Sequence, residues 1–188
     1  MQKPGGFFRP PVNVERAWID FARLPADLSS EALVALEEAL PKPRGRAKPK
    51  VLEYHALQRM TLADLFQLGE AEKIEGLSGK KREDMIFEFS AAKLKAGTQI
   101  VTEGCLEVTN ENHAFLRNPC NAYLPSADDA FVPPSLVKHF GLVTGMTLRG
   151  ALRVPLENER YLGLAHLESV DKNPPEPAAT RSPFKELV

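Results

Sequence analysis

The chain has 188 residues, 43% hydrophobic and 26% charged, with a net charge of −1, the composition of one ordinary folded domain or two small ones. No apolar run approaches the roughly 18 residues of a membrane span, and the first eleven residues hold no apolar signal core. Two cysteines (Cys105, Cys120) and four scattered histidines (His55, His113, His139, His166) lack metal-finger spacing, so a cytoplasmic protein is expected, with no metal, cofactor or membrane partner.

Charge is uneven along the chain. Residues 1–50 carry nine Lys/Arg against six Asp/Glu, and residues 98–171 carry five against nine, so a basic arm precedes an acidic body. Within 1–50, Val14–Arg23 reads as a short helix with Ala17, Trp18 and Phe21 on one face. Ser30 can cap a second helix, Glu31–Leu40, striped by Leu33, Leu36 and Leu40. Such short helices are marginal unless they dock on something. Pro41–Lys50 holds five cations, three prolines, one glycine and no acid, the composition of a solvated linker with loose attraction for phosphate.

Residues 51–97 read as a small helical subdomain. Thr61 and Asp64 have the spacing of a capping box, and Leu62, Leu65, Phe66 and Leu68 follow as a buried stripe. Gly76–Gly79 forms a turn in which Ser78 can cap the next helix, expected to bury Met85, Ile86 and Phe89 and to stop at Gly97. Lys80, Lys81 and Arg82 are expected in its first turn, where the helix dipole disfavours cations; this fits either a phosphate-facing surface or a solvated one.

From residue 98 the hydrophobic period becomes two. Cys105–Val108, Ala114–Arg117, Asp129–Val132, Met146–Val154 and Tyr161–Val170 read as strands, with a helical turn at Ser135–Phe140 and a bulge in the last strand. Five short strands in this length suit a closed OB-type barrel over 98–171, followed by a linker over 172–188. The fold class is therefore α+β: an arm over 1–50, a helical subdomain over 51–97, then a five-stranded OB-type β-barrel.

Alternation also assigns faces. Ala114 and Leu116 point inward, leaving His113, Phe115 and Arg117 outside; Ala130 and Val132 point inward, leaving Asp129 and Phe131 outside. Glu159-Arg160-Tyr161 adds a further aromatic with polar neighbours. An outward Phe beside an Arg and an Asp can stack an unpaired base and read its edge, and the same surface suits a contact with another domain. No string in the chain has Walker spacing; Gly76-Leu77-Ser78-Gly79-Lys80-Lys81 lacks the four-residue gap and the Ser/Thr that binds Mg²⁺, so no ATPase is expected of these residues.

Several short motifs in one order resemble the N-terminal RNA-binding region of the bacterial transcription termination factor Rho family: Thr61–Leu68, Ile74–Gly79, Lys81–Phe87, Gly104–Val108, Phe115–Arg117, Tyr123–Pro125, Asp128-Asp129, Pro134-Ser135, Thr144-Gly145, Glu159–Tyr161 and Phe184–Leu187. The resemblance spans roughly residues 52–187. It implies a cold-shock-like barrel that binds single-stranded, pyrimidine-rich RNA, with Phe115 stacking a base, Arg117 and Asp129 on a cytosine edge, and Phe131, Glu159, Arg160 and Tyr161 holding the neighbouring base and backbone. His113 stands where the family has an aromatic, Asn112 and Ala114 where it has glycine, Thr109 where it has an apolar residue, and Phe131 where it has tyrosine. Single-stranded DNA, Rho itself and RNA polymerase are further partners compatible with this resemblance. An alternative is a protein-interaction or regulatory module with the same fold and weakened RNA affinity.

Overall fold

The computed structural model describes residues 21–27, 29, 32, 51–109 and 113–178. The expected helix over Glu31–Leu40 apart from Ala32, most of the one over Val14–Arg23, the basic tract 41–50, Asn112 and the tail 179–188 lie outside the described residues. Phe21–Arg23 is a single 3-10 turn.

The first strand, β1 (Val51–Glu53), leads directly into α1 (Tyr54–Arg59). Helix α2 (Leu62–Ala71) starts on the capping box: Thr61 Oγ1 accepts from the Asp64 amide, and the Thr61 amide donates to the Asp64 carboxylate. Leu65 and Gly69 are its buried positions, whereas Leu62 and Phe66 are exposed, so the expected apolar stripe is narrower than the sequence suggests. Helix α3 (Arg82–Lys95) has Lys81 rather than Ser78 at its N-cap position, with no side-chain capping bond, and Glu83 and Asp84 occupy its first turn. Its expected core face is present: Met85, Ile86 and Phe89 are buried. Gly97, at φ 82°, ends it. The Thr98 amide donates to Lys93 O at 2.9 Å and the Gly97 amide to Leu94 O at 3.0 Å, the paired bonds of a Schellman cap.

The remaining strands are β2 (Gln99–Val108), β3 (Ala114–Arg117), β4 (Ala130–Val132), β5 (Thr147–Leu152) and β6 (Leu164–Val170), with α4 (Pro134–Phe140) between β4 and β5. They are antiparallel in the order β4-β3-β2-β5-β6. A parallel bridge from Phe131 to Gly163, with the Phe131 amide donating to Leu162 O at 2.9 Å, brings the two outer strands together. This is the order and closure of an OB-type barrel. β1 adds a parallel pairing to β2, Val51 opposite Gln99, a contact that no local pattern announces. The bulge expected in the last strand is present, because the β5–β6 register skips Glu168 and Ala165.

The helical part and the barrel share one apolar cluster. Tyr54, Leu57, Leu65, Ile86 and Phe89 belong to the same buried set as Ile100, Leu106, Leu116, Val132, Leu148 and Leu164. Polar ties reinforce the joint: the Tyr54 hydroxyl and the Gln58 amide both donate to Asp128 O, at 3.0 and 2.9 Å. At Gly150 the backbone of β6 passes so close that an added Cβ would collide with the His166 carbonyl oxygen. Gly150→Ala must push β5 and β6 apart, and overpacking of this kind costs about 1–3 kcal/mol; a thermal melt unchanged from wild type would refute that account.

Candidate nucleic-acid interface

The faces assigned by alternation hold. Ala114, Leu116, Ala130 and Val132 point into the main core, while Phe115 and Phe131 form a second cluster with Tyr161 on the opposite face. Phe115 lies opposite Phe131 across the β3–β4 ladder. The rings meet edge to face, with Phe115 5.7 Å from both Phe131 and Tyr161 between centroids. His113 extends the row, 6.4 Å from Phe131 and tilted by 47°.

The expected exposure of these aromatics is not met. Phe115 is 0% exposed, Phe131 2% and Tyr161 5%. The Arg117 guanidinium lies over the Phe115 ring at 5.0 Å, and Leu24, far upstream in sequence, packs against the trio. Alternation reports the side of a sheet that a residue occupies, not what covers that side. Here a segment of the chain's own arm covers it.

Arg117 is the electrostatic hub of β3. Its Nε donates to Glu107 on β2 at 2.6 Å, and its Nη1 donates to Asp129 Oδ2. Oδ2 also accepts from the Ser126 amide at 2.7 Å. Asp129 Oδ1 is buried and meets no hydrogen-bond partner among the described residues. Burial pushes the Asp129 carboxyl up to about 6, against the lowering effects of the Ser126 amide and Arg117, with Asp128 adding to the rise. A carboxyl raised in the folded state stabilises the fold where it is protonated. Its contribution is complete below the ordinary value of 3.8 and is lost as pH rises through about 6.

Glu159 and Arg160 do different work from each other. The Glu159 carboxylate receives both guanidinium amines of Arg153, each at 2.7 Å, inside the fold. It also accepts from the Leu156 amide at 2.8 Å and the Ala26 amide at 2.9 Å. Burial alone would raise its carboxyl, but these four donors outweigh it and hold it below the ordinary value. Glu159 is therefore tied into the structure, and Arg153 is the partner that sequence reasoning missed. Its one signal in the sequence was an Arg at the end of the alternating stretch Met146–Val154, six residues before Glu159; it lies just past β5. The Arg160 side chain is half exposed and lies 3.8 Å from Glu88. It borders an open groove whose lining includes Lys80, Phe87 and Tyr161.

The sequence-selected residues thus gather on one face of the barrel: His113, Phe115 and Arg117 from β3 and its lead-in, Asp129 and Phe131 at β4, and Glu159, Arg160 and Tyr161 from the loop before β6. The model of the family described as "Rho termination factor, RNA-binding domain" matches residues 102–176, the barrel that carries this face. That described as "Rho termination factor, N-terminal domain" matches residues 56–98, the helices. The chain belongs to the Rho termination factor family. Curated relatives agree. Each is named transcription termination factor Rho. That of Aquifex aeolicus is 38% identical over 132 residues, 70% of this chain and 30% of the relative. That of Rhodopirellula baltica is 30% identical over 165 residues, 88% of this chain and 32% of the relative. That of Salmonella typhimurium is 34% identical over 132 residues, 70% and 32%. The chain spans about a third of the length of these relatives, and the matched Rho family regions are the N-terminal and RNA-binding ones. Among the described residues no helix is long and apolar enough to cross a membrane.

Proposed function

We propose that the chain binds single-stranded, pyrimidine-rich RNA through the barrel face formed by His113, Phe115, Arg117, Asp129, Phe131, Glu159, Arg160 and Tyr161, and that it does so as a binding module without ATP hydrolysis. The observation that carries this is the convergence of three aromatic rings with an Arg–Asp pair on the one face of a barrel matched to the Rho RNA-binding domain. Aromatic rings stack any base, and edge contacts choose among bases. A cytosine amino group is a donor, and the unpartnered Asp129 Oδ1 is a buried acceptor suited to it.

Fluorescence anisotropy with labelled oligocytidylate, oligouridylate and oligoadenylate tests the proposal. Saturable binding with a preference for oligocytidylate is expected. Only an ionised Asp129 is acceptor-only, so affinity for oligocytidylate should weaken as pH falls through about 6. Asp129→Asn keeps the volume and removes the titration. It should flatten that profile and reduce the preference for cytosine over uracil by about 1–3 kcal/mol. A profile that is the same in wild type and in Asp129→Asn would rule out the edge-reading role.

A further inference from the structure

The face assigned to RNA is occupied by the chain itself. Leu24 is seated on Phe115, Phe131 and Tyr161. Pro25 is buried beside it, so close to the loop that a Cβ on Gly163 would come within 3.2 Å of the proline ring. Three hydrogen bonds fix the path. The Arg160 amide donates to Arg23 O at 2.9 Å, the Ala26 amide donates to Glu159 Oε1 at 2.9 Å, and the Ser135 amide donates to Asp27 Oδ1 at 3.0 Å. Five consecutive residues, 23–27, therefore run over the trio and over both polar residues that precede Tyr161.

The chemistry of this segment imitates that of a nucleotide. Leu24 and Pro25 offer a compact apolar surface to the aromatic rings, as a base would. The backbone carbonyl and amide groups satisfy positions 159 and 160, as a base edge and its backbone would. With the segment in place Phe115 has no accessible surface, so a base and Leu24 cannot occupy the face together.

We propose that Arg23–Asp27 is an intramolecular competitor of RNA: it shuts the base-binding face in the free protein and leaves it when a pyrimidine strand binds. This rests on the RNA-binding role proposed above. The contact is small, one half-buried leucine, one proline and three hydrogen bonds, which suits reversible release. A site whose competent state is a minor population binds more weakly in proportion to that population. Minor states of this kind are commonly populated at about 10% or less.

The full chain is compared with two full-length variants. Leu24→Ser removes the apolar anchor, and Ala26→Pro removes the amide that donates to Glu159. Both should bind labelled oligocytidylate about tenfold tighter or more. In the wild-type protein, saturating oligocytidylate should speed amide hydrogen exchange at Ala26 and Arg160, because their bonds across the contact open. Equal affinity in all three proteins, with Ala26 exchange unchanged by the oligonucleotide, would overturn the competition and leave the RNA-binding role standing. No binding by any of the three, the released variants included, would overturn the RNA-binding role and the competition with it. Should either variant fail to fold, the exchange measurement on the wild-type chain decides the question alone.

Discussion

Arg153→Met should lower stability by about 3–5 kcal/mol, a fall in melting temperature of roughly 6–20 °C at about 2–4 °C per kcal/mol for a protein of this size. Arg153 and Glu159 are both almost fully buried and joined by two 2.7 Å bonds. Removing the cation leaves a carboxylate sealed in the fold with only backbone donors. The double variant Arg153→Met/Glu159→Leu should recover much of the loss, because replacing both members of a buried pair by apolar residues of similar volume is often neutral. It should not recover all of it, since the Leu156 and Ala26 amides lose their acceptor. Thermal melts of Arg153→Met, Glu159→Leu and the double variant, read as a double-mutant cycle, check this. A single variant that melts with the wild type would mean that water already reaches Glu159.

Phe115→Ala should have a comparable effect on stability, for a different reason. The ring is enclosed by Phe131, Tyr161, Arg117 and Leu24, and truncating a buried phenylalanine costs about 3–5 kcal/mol. If the ring is also a stacking platform, oligocytidylate affinity should fall by a further 1–3 kcal/mol or so per folded molecule. Melts and anisotropy at a temperature where both proteins are folded separate the two effects. Early melting with unchanged affinity would reduce Phe115 to an anchor for Leu24 and pass the stacking role to its neighbours.

Where the signal was local, the sequence was legible. The Thr61–Asp64 capping box, the stop at Gly97, the strand Ala114–Arg117 and the bulge in the last strand each depend on residues within a turn or on strict alternation. The assignment of Phe115 and Phe131 to the outer face was correct for the same reason. What lay beyond reach depended on distant residues. The cover over the aromatics comes from Leu24 and Pro25, some ninety residues before Phe115. β1 pairs with β2 across three intervening helices. Glu159 reads from sequence as a free ligand for a base, and only the fold brings the Arg153 guanidinium onto it. Leu62 and Phe66 fit a helical stripe, yet the face of α2 that docks is narrow and is set by Leu65 and Gly69.

The shared core of helices and barrel decides what can be recombined. Tyr54, Leu57, Ile86 and Phe89 complete the same apolar interior as Leu106, Leu148 and Leu164, and β1, at the start of the helical part, is hydrogen-bonded into the barrel sheet. A barrel cloned from residue 98 onward would expose a wet apolar flank and a bare sheet edge, the sort of surface that invites aggregation. The smallest portable unit is therefore the stretch from β1 to β6, inherited and transplanted whole, and its most protected amides in α1 and β2 should exchange with solvent at one common free energy.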